Sequence, residues 1–424
     1  MSAISAVMTA NPRLLFFIGL VSALALVLYR DREKVQRHSI LFYRRTKHGI
    51  EYIDRIAKSA PRFWNIYGWT GVVVGFLTIP TILYLVLQSF STMVATGGAK
   101  GGPSLLLPGI NSQTTLNSGI SFVPVEYWVI SIGILMFVHE MSHGIIARAE
   151  GMEINSVGWI VLGIIPGAFV EPKGENMLPE PGDKDSEEED SDDEQDNEEE
   201  AAGGLWNQGS TRSRLKVLAA GSFANYLTAL VFAGLALLTF TQVAHPVGIT
   251  YIAQEGYPAQ KAGMDNGTIY SIENERVRYF SEMEELLGNY SANQTVKLNT
   301  SEGVFHVDLT ERNGSAYLGI WVLPDSGLMG TFSAMVGNQW TIKQKYEEYR
   351  GIISWTLSGL QVVALLNFLI GMFNLLPVKP LDGGQMVSAL LEKFYPEGER
   401  YMNYWSLLAW AALITALVVG IIGP

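Results

Sequence analysis

His139 and His143 stand four residues apart in the stretch FVHEMSHGII, with Glu140 directly after the first of them. On a helix that spacing puts both imidazoles on one face, where two ring nitrogens can reach a single metal ion. The glutamate is then placed as a general base toward the water that the metal activates. The flanks are apolar enough for lipid, and a carboxylate in mid-span costs roughly +2.5 to +3.5 kcal/mol on insertion scales. Metal coordination and a water-accessible cavity would offset that cost. A chance pentapeptide would leave three ionisable groups with nothing to sustain them.

A catalytic zinc site takes three protein ligands and leaves one position for water. The chain has no cysteine, so disulfides and thiolate ligands are excluded, and the third ligand must be a histidine or a carboxylate. The other histidines, His38, His48, His245 and His306, fall in polar loops or in a soluble region. The better candidate is Asp382, in FNLLPVKPLDGGQM, where Pro377 and Pro380 break a helix after an apolar span. Taken alone, Asp382 reads better as a loop aspartate at a membrane boundary; the span count is what places it on the same side as His139 and His143. Three asparagines also fall inside apolar stretches. Asn374 could hold a substrate backbone or a developing oxyanion, or serve as glue between helices. Asn225, four residues after Gly221 in GSFAN, suits close helix packing, with substrate binding as its alternative role. Asn367 reads as structural.

Those residues need elements to position them. Of the 424 residues 48% are hydrophobic, enough for several membrane spans and one further domain. Apolar stretches near the roughly 17 to 25 residues of a span occur at Leu14–Tyr29, Ile66–Leu87, Tyr127–Arg148, Leu215–Phe240, Ile353–Leu376 and Tyr404–Ile422, predicting six spans. The first lacks the pattern of a cleaved leader, because its basic cluster follows the apolar run. The net charge of -12 is local: Asp183 to Glu200 holds thirteen acids and one lysine, and the remainder balances at 28 acids against 28 bases. This segment reads as a solvated linker, not as a general acidic surface.

Between Arg30 and Arg62 ten Lys/Arg face four Asp/Glu, and short basic loops stay in the cytoplasm. The amino terminus is then outside, and counting spans puts His139, His143 and Asp382 toward the cytoplasmic side. VGWIVLGIIPGAFVEP, from Val157, is too short and interrupted for a span and reads as a hairpin or re-entrant segment. Ser91–Val123, with LLLPGI, reads as an extracytoplasmic loop that touches the membrane. From Pro246 to Val322 the pattern changes to short alternating runs with two brief helices, one opened by Pro258 and ended by Gly263, the other capped by Ser281 and Glu284. That is a small folded α+β domain. Five N-x-S/T sequons, at Asn266, Asn289, Asn293, Asn299 and Asn313, all fall within it, in keeping with an external position.

In order, LLLPGI, FVHEMSHGIIA, GWIVLGIIPGAFVEP, GSFAN and NLLPVKPLDGG resemble the core of the site-2 protease family of intramembrane zinc metalloproteases. The resemblance implies a polytopic α-helical membrane protein, here of about six spans, with a small α+β PDZ-like extracytoplasmic domain. It implies one zinc ion per chain on His139, His143 and Asp382, Glu140 as general base, and Asn374 positioning the substrate. The implied reaction is hydrolysis of a peptide bond within a transmembrane segment. The partners are single-span membrane protein substrates and the lipid bilayer, not nucleic acid. The chain then divides into 1–123, two leading spans with a basic and an extracytoplasmic loop; 124–178, the first core span and hairpin; and 179–210, the acidic linker. There follow 211–241, the second core span; 246–325, the PDZ-like insert; 350–392, the third core span; and 400–424, the last span. A metal-binding receptor or scaffold is the rival reading, but it has no need of a base beside its ligands. A zinc transporter would show further His, Asp or Glu residues along the spans.

Overall fold

The computed structural model describes residues 12–30, 32, 34–38, 41–98, 101–109, 119–162, 165–173, 209–312, 314–322 and 340–422. The acidic run 183–200 and the sequon residue Asn313 lie outside them.

The chain opens with helix α1 (Pro12–Arg30), strands β1 (Gln36–His38) and β2 (Leu41–Thr46), and helices α2 (Ile50–Ser59) and α3 (Pro61–Ala95). Strands β3 (Ser104–Gly109) and β4 (Gly119–Pro124) precede helix α4 (Val125–Ala149), which carries the two histidines, and strands β5 (Ile154–Leu162) and β6 (Ile165–Pro172) follow it. Helix α5 (Thr211–Val243) leads into β7 (Ala244–Pro246), β8 (Ile249–Ala253), α6 (Pro258–Lys261), β9 (Asn266–Ile272), β10 (Glu275–Arg276) and α7 (Phe280–Leu287). Then come β11 (Thr295–Thr300), β12 (Gly303–Asp308), β13 (Thr310–Arg312), β14 (Ser315–Tyr317), β15 (Ile320–Val322) and β16 (Trp340–Ile342). A 3-10 turn, Gln344–Tyr349, runs into α8 (Arg350–Phe373), and α9 (Asp382–Phe394) and α10 (Gly398–Ile422) close the order.

Among the described residues five helical segments are long and apolar enough to cross a membrane: α3, α4, α5, α8 with its preceding turn, and α10. These match five of the six expected spans. The expected first span is helical as α1 but is not one of the five. The third core span stops at Phe373, short of the expected Leu376, because the prolines that follow cannot continue it.

Two compact units divide the chain: residues 1–231 with 362–424, and residues 232–361. In the first, the segment from Val157 is a true antiparallel hairpin, β5 with β6. It does not stand alone. β2 pairs along the other edge of β5, from Leu41 opposite Leu162 to Thr46 opposite Val157, giving a four-stranded sheet in the order β1-β2-β5-β6 with β6 at one edge. Buried Glu171 binds three elements of this sheet together: it accepts hydrogen bonds from Arg45 Nη2 (3.1 Å), Ser156 Oγ (2.7 Å) and Asn155 Nδ2 (3.3 Å). The expected loop at Ser91–Val123 is in part regular, since β3 and β4 form a parallel pair. Its strands pack on α4 and α10.

Polar clamps fix the helices around α4. Arg148 pairs with Asp54 of α2. Lys216 Nζ of α5 donates at 2.7 Å to both Glu150 Oε1 and Asn65 Oδ1 of α3. Between them lie apolar clusters, one of Ile53, Ala57, Ile145, Ile154 and Val170, the other including Val72, Ile146, Leu218, Leu375 and Met386.

The second unit has a sheet in the order β12-β11-β9-β8-β15, with β10 paired to β9. Its core includes fully buried Tyr251, Ile269, Leu298 and Leu318, confirming the α+β reading. Pro258 opens α6, and Gly263 follows it at a φ of 89°. The second helix departs from expectation. It starts at Phe280, which packs on the core, so Ser281 lies inside it, and Glu282 rather than Glu284 reaches back, accepting from the N–H groups of Arg278 (2.7 Å) and Tyr279 (3.3 Å).

Glu171→Ala should destabilise the sheet of the first unit by about 3 kcal/mol, because it leaves Arg45 beside a buried and unmatched site. Thermal unfolding in detergent measures this, and an unchanged midpoint would remove Glu171 as its anchor.

Candidate metal centre

α4 does what the four-residue spacing demands. His139 Nε2 and His143 Nε2 lie 3.0 Å apart, with the rings edge to face at 4.6 Å between centroids. Asp382 Oδ2 comes to 3.4 Å from the first and 3.6 Å from the second. The three ligand atoms all lie within 4.8 Å of one another, and His139 is only 6% exposed. A set of two imidazoles and one carboxylate converging on one point has the composition of a zinc site with a position open to water.

The groups behind the ligands support the same reading. A metal-binding imidazole donates its other N–H to an acceptor, which fixes the ring and its tautomer. His143 Nδ1 is 2.7 Å from the carbonyl oxygen of Val217 on α5, so it donates there and leaves Nε2 free to ligate. His139 Nδ1 lies 3.1 Å from the amide of Asn225, whose Oδ1 is buried with no partner among the described residues. The two orientations of an amide have the same shape. The one that brings Oδ1 to Nδ1–H satisfies both atoms and again frees Nε2. Asn225 is completely buried and meets the His139 ring, not an open cleft.

Gly221 explains the other half of GSFAN. A Cβ built there would sit 2.4 Å from His143 Nε2 and 2.6 Å from His139 Cε1, inside the ligand cradle. α5 therefore approaches the imidazoles with bare backbone. Close packing is present too, since a Cβ on Gly371 of α8 would come within 3.0 Å of Asn225 Cβ. Beside the site, Ser222 Oγ is 3.4 Å from Asp382 Oδ2.

Asp382 is the first residue of α9 and arrives through the turn Asn374–Leu381. The Gly383 N–H donates to the Asn374 carbonyl at 2.8 Å, closing that turn. Here too a side chain is excluded: a Cβ on Gly383 would lie 2.2 Å from the carbonyl oxygen of Leu375. Asn374 thus stands at the neck of the loop that delivers Asp382, and its side-chain amide has no hydrogen-bond partner among the described residues. Asn367 is buried, with Nδ2 donating to the Val363 carbonyl at 2.8 Å. Glu140 points to the hairpin: its Oε2 accepts the N–H of Val170, on edge strand β6, at 3.2 Å.

Two contributors had no signal in the sequence. Ser142, inside the histidine motif, donates to the Ala220 carbonyl at 3.0 Å and lies 2.8 Å from Tyr67 Oη of α3. The Tyr67 ring packs edge to face on Phe223. A leading helix thereby takes part in holding α4 against α5 behind the ligands. Gly221 was visible as a small residue, but its role depends on the facing helix.

Residues 127–416 match the profile of peptidase family M50, the site-2 protease family. The chain belongs to that family. It is 21% identical over 399 residues to an uncharacterized protein of Methanocaldococcus jannaschii, an alignment covering 92% of this chain and 89% of that one. It is also 24% identical over 327 residues, 63% of this chain and 88% of the other, to a protein of Helicobacter pylori provisionally named a zinc metalloprotease. Membership supports a metalloprotease with zinc as its metal, and the His139, His143 and Asp382 group is one that could bind it.

Gly221→Ala should abolish stoichiometric zinc, read by elemental analysis of the purified protein. Asn225→Ala should weaken zinc about 10-fold to 100-fold, the usual effect of losing a partner behind a ligand. Wild-type zinc affinity in Asn225→Ala would dismiss its hold on His139.

Proposed function

We propose that the protein is a zinc-dependent intramembrane endopeptidase that cleaves transmembrane segments of single-span membrane proteins. The observation that carries this is the convergence of His139, His143 and Asp382 beside Glu140 on α4, a helix apolar enough to cross a membrane. His139, His143 and Asp382 would hold a zinc ion, which would supply Lewis acidity toward the scissile carbonyl and a water acidic enough to attack near neutral pH. Glu140 accepts the proton of that water as the new C–O bond forms. It then delivers the proton to the amide nitrogen as the C–N bond breaks, so the leaving segment departs as a neutral amine and the other as an acid. The amide of Asn374, without a hydrogen-bond partner among the described residues, would hold the substrate strand.

A helical substrate must unwind before its carbonyl can be attacked, because helical hydrogen bonds enclose the backbone. β6 favours the extended form. As an edge strand it can pair with one more strand, and its Val170 N–H lies on Glu140. Substrate paired along β6 would therefore run beside the catalytic base. The proposal extends to regulated intramembrane proteolysis. In it the α+β insert, PDZ-like and extracytoplasmic, admits substrates already trimmed to a stub, and the site opens toward the cytoplasm.

A structural metal site in a receptor or scaffold is the alternative, and Glu140 separates the two. Glu140→Gln should retain zinc and lower cleavage of a single-span substrate in detergent by at least about 100-fold, the low end for removing a general base. Undiminished turnover would sink the proposal. The sidedness is tested independently by a glycosylation or labelling reporter at Asn289, exposed after α7, which should be modified from outside. A reporter accessible only from the cytoplasm would reverse the topology.

A further inference from the structure

Residues Asn374 to Leu381 are neither helix nor strand, and two of them, Pro377 and Pro380, have no N–H to give. They follow a helix apolar enough to cross a membrane. Irregular backbone beside a span is stable only where its polar groups find partners. The loop satisfies part of its own backbone: Val378 N–H donates to Leu376 O at 2.8 Å, and Leu381 N–H to Val378 O at 3.0 Å. The middle of the loop is met from α10. Trp405 Nε1 donates to the Pro377 carbonyl at 2.6 Å, Ser406 Oγ accepts the Lys379 N–H at 2.8 Å, and Trp410 Nε1 donates to the Lys379 carbonyl at 2.8 Å.

These contacts are part-buried, with Trp405 44% exposed and the loop side better covered. Ser406 is 5% exposed, and Leu376 and Val378 are 3% exposed in a cluster that Trp410 packs against. Asp382 follows Lys379 by three residues, and its carboxylate stands 3.4 Å from His139 Nε2. The backbone that α10 grips is therefore the backbone that places the third ligand.

We propose that Trp405, Ser406 and Trp410 are positioning residues of the metal centre, setting the place of Asp382 and of Asn374 through the Pro377–Lys379 backbone. None of the three touches a ligand. The inference rests on the metal site proposed above. Deleting one of these groups leaves a part-buried peptide carbonyl or N–H of the loop without its partner on α10. The loop then relaxes toward other partners and draws Asp382 off the point where His139 and His143 converge. If α10 only covered an apolar face, ring volume would matter and the N–H groups would not.

Phenylalanine keeps most of an indole's apolar bulk and removes its N–H, which separates the two roles. Full-length protein stripped of metal in detergent is titrated with Co2+, reading both affinity and the visible absorption that reports ligand geometry. Trp405→Phe, Trp410→Phe and Ser406→Ala should each weaken Co2+ binding about 10-fold or more and shift the absorption band. Tyr401→Phe, at a residue of the same helix that is 62% exposed, should match wild type. Wild-type affinity and spectrum in all three variants would overturn the proposal. Ser406→Ala removes a single hydroxyl oxygen and decides the question alone should the tryptophan variants aggregate. Wild-type protein that bound no Co2+ would overturn the metal reading itself, and this inference with it.

Discussion

A carboxylate and two imidazoles are tolerated among apolar helices only if they satisfy one another and the metal they would hold, and the first unit is arranged around that requirement. Asp382 must reach both ring nitrogens at once, yet no straight continuation of α8 would deliver it there. The chain breaks after Phe373, turns through two prolines and restarts as α9 with Asp382 at its head. Broken backbone brings its own unsatisfied groups, and these in turn require donors and acceptors from α10. One electrostatic demand thus propagates outward through the loop to a helix that contributes nothing to the ligand set.

The same logic accounts for elements that precede the histidine motif. α3 adds the Tyr67 hydroxyl behind Ser142 and receives Lys216 at Asn65. β2 completes the hairpin as an interior partner of β5, leaving β6 as the edge nearest Glu140. These additions stiffen the site without supplying chemistry. Preorganisation of this kind matters because a catalytic group displaced by about 1 Å can lose about 100-fold in rate.

Membership of peptidase family M50 gives the class of chemistry, whereas substrate choice belongs to particular surfaces. The α+β unit has its own core around Tyr251 and Leu298.

The sequence by itself determined what periodicity and local chemistry can encode: five of the six expected spans, the helical pairing of His139 with His143, the hairpin from Val157, and the break before Pro377. It also marked Asp382 and Asn374 as residues of interest, because a carboxylate and an amide beside an apolar run need a reason to be there. It could not determine what depends on a facing element. Gly221 reads as a packing glycine until the imidazoles are seen within reach of its missing Cβ. Asn225 reads as helix glue or substrate contact until His139 Nδ1 is beside it. β2 reads as part of a basic loop until it pairs with β5, and Ser281 reads as a cap until Phe280 enters the core and starts the helix earlier. In each case the residue type allowed several roles. The tertiary structure chose among them, because contacts between segments far apart in the chain are fixed by packing and hydrogen bonding that no local window contains.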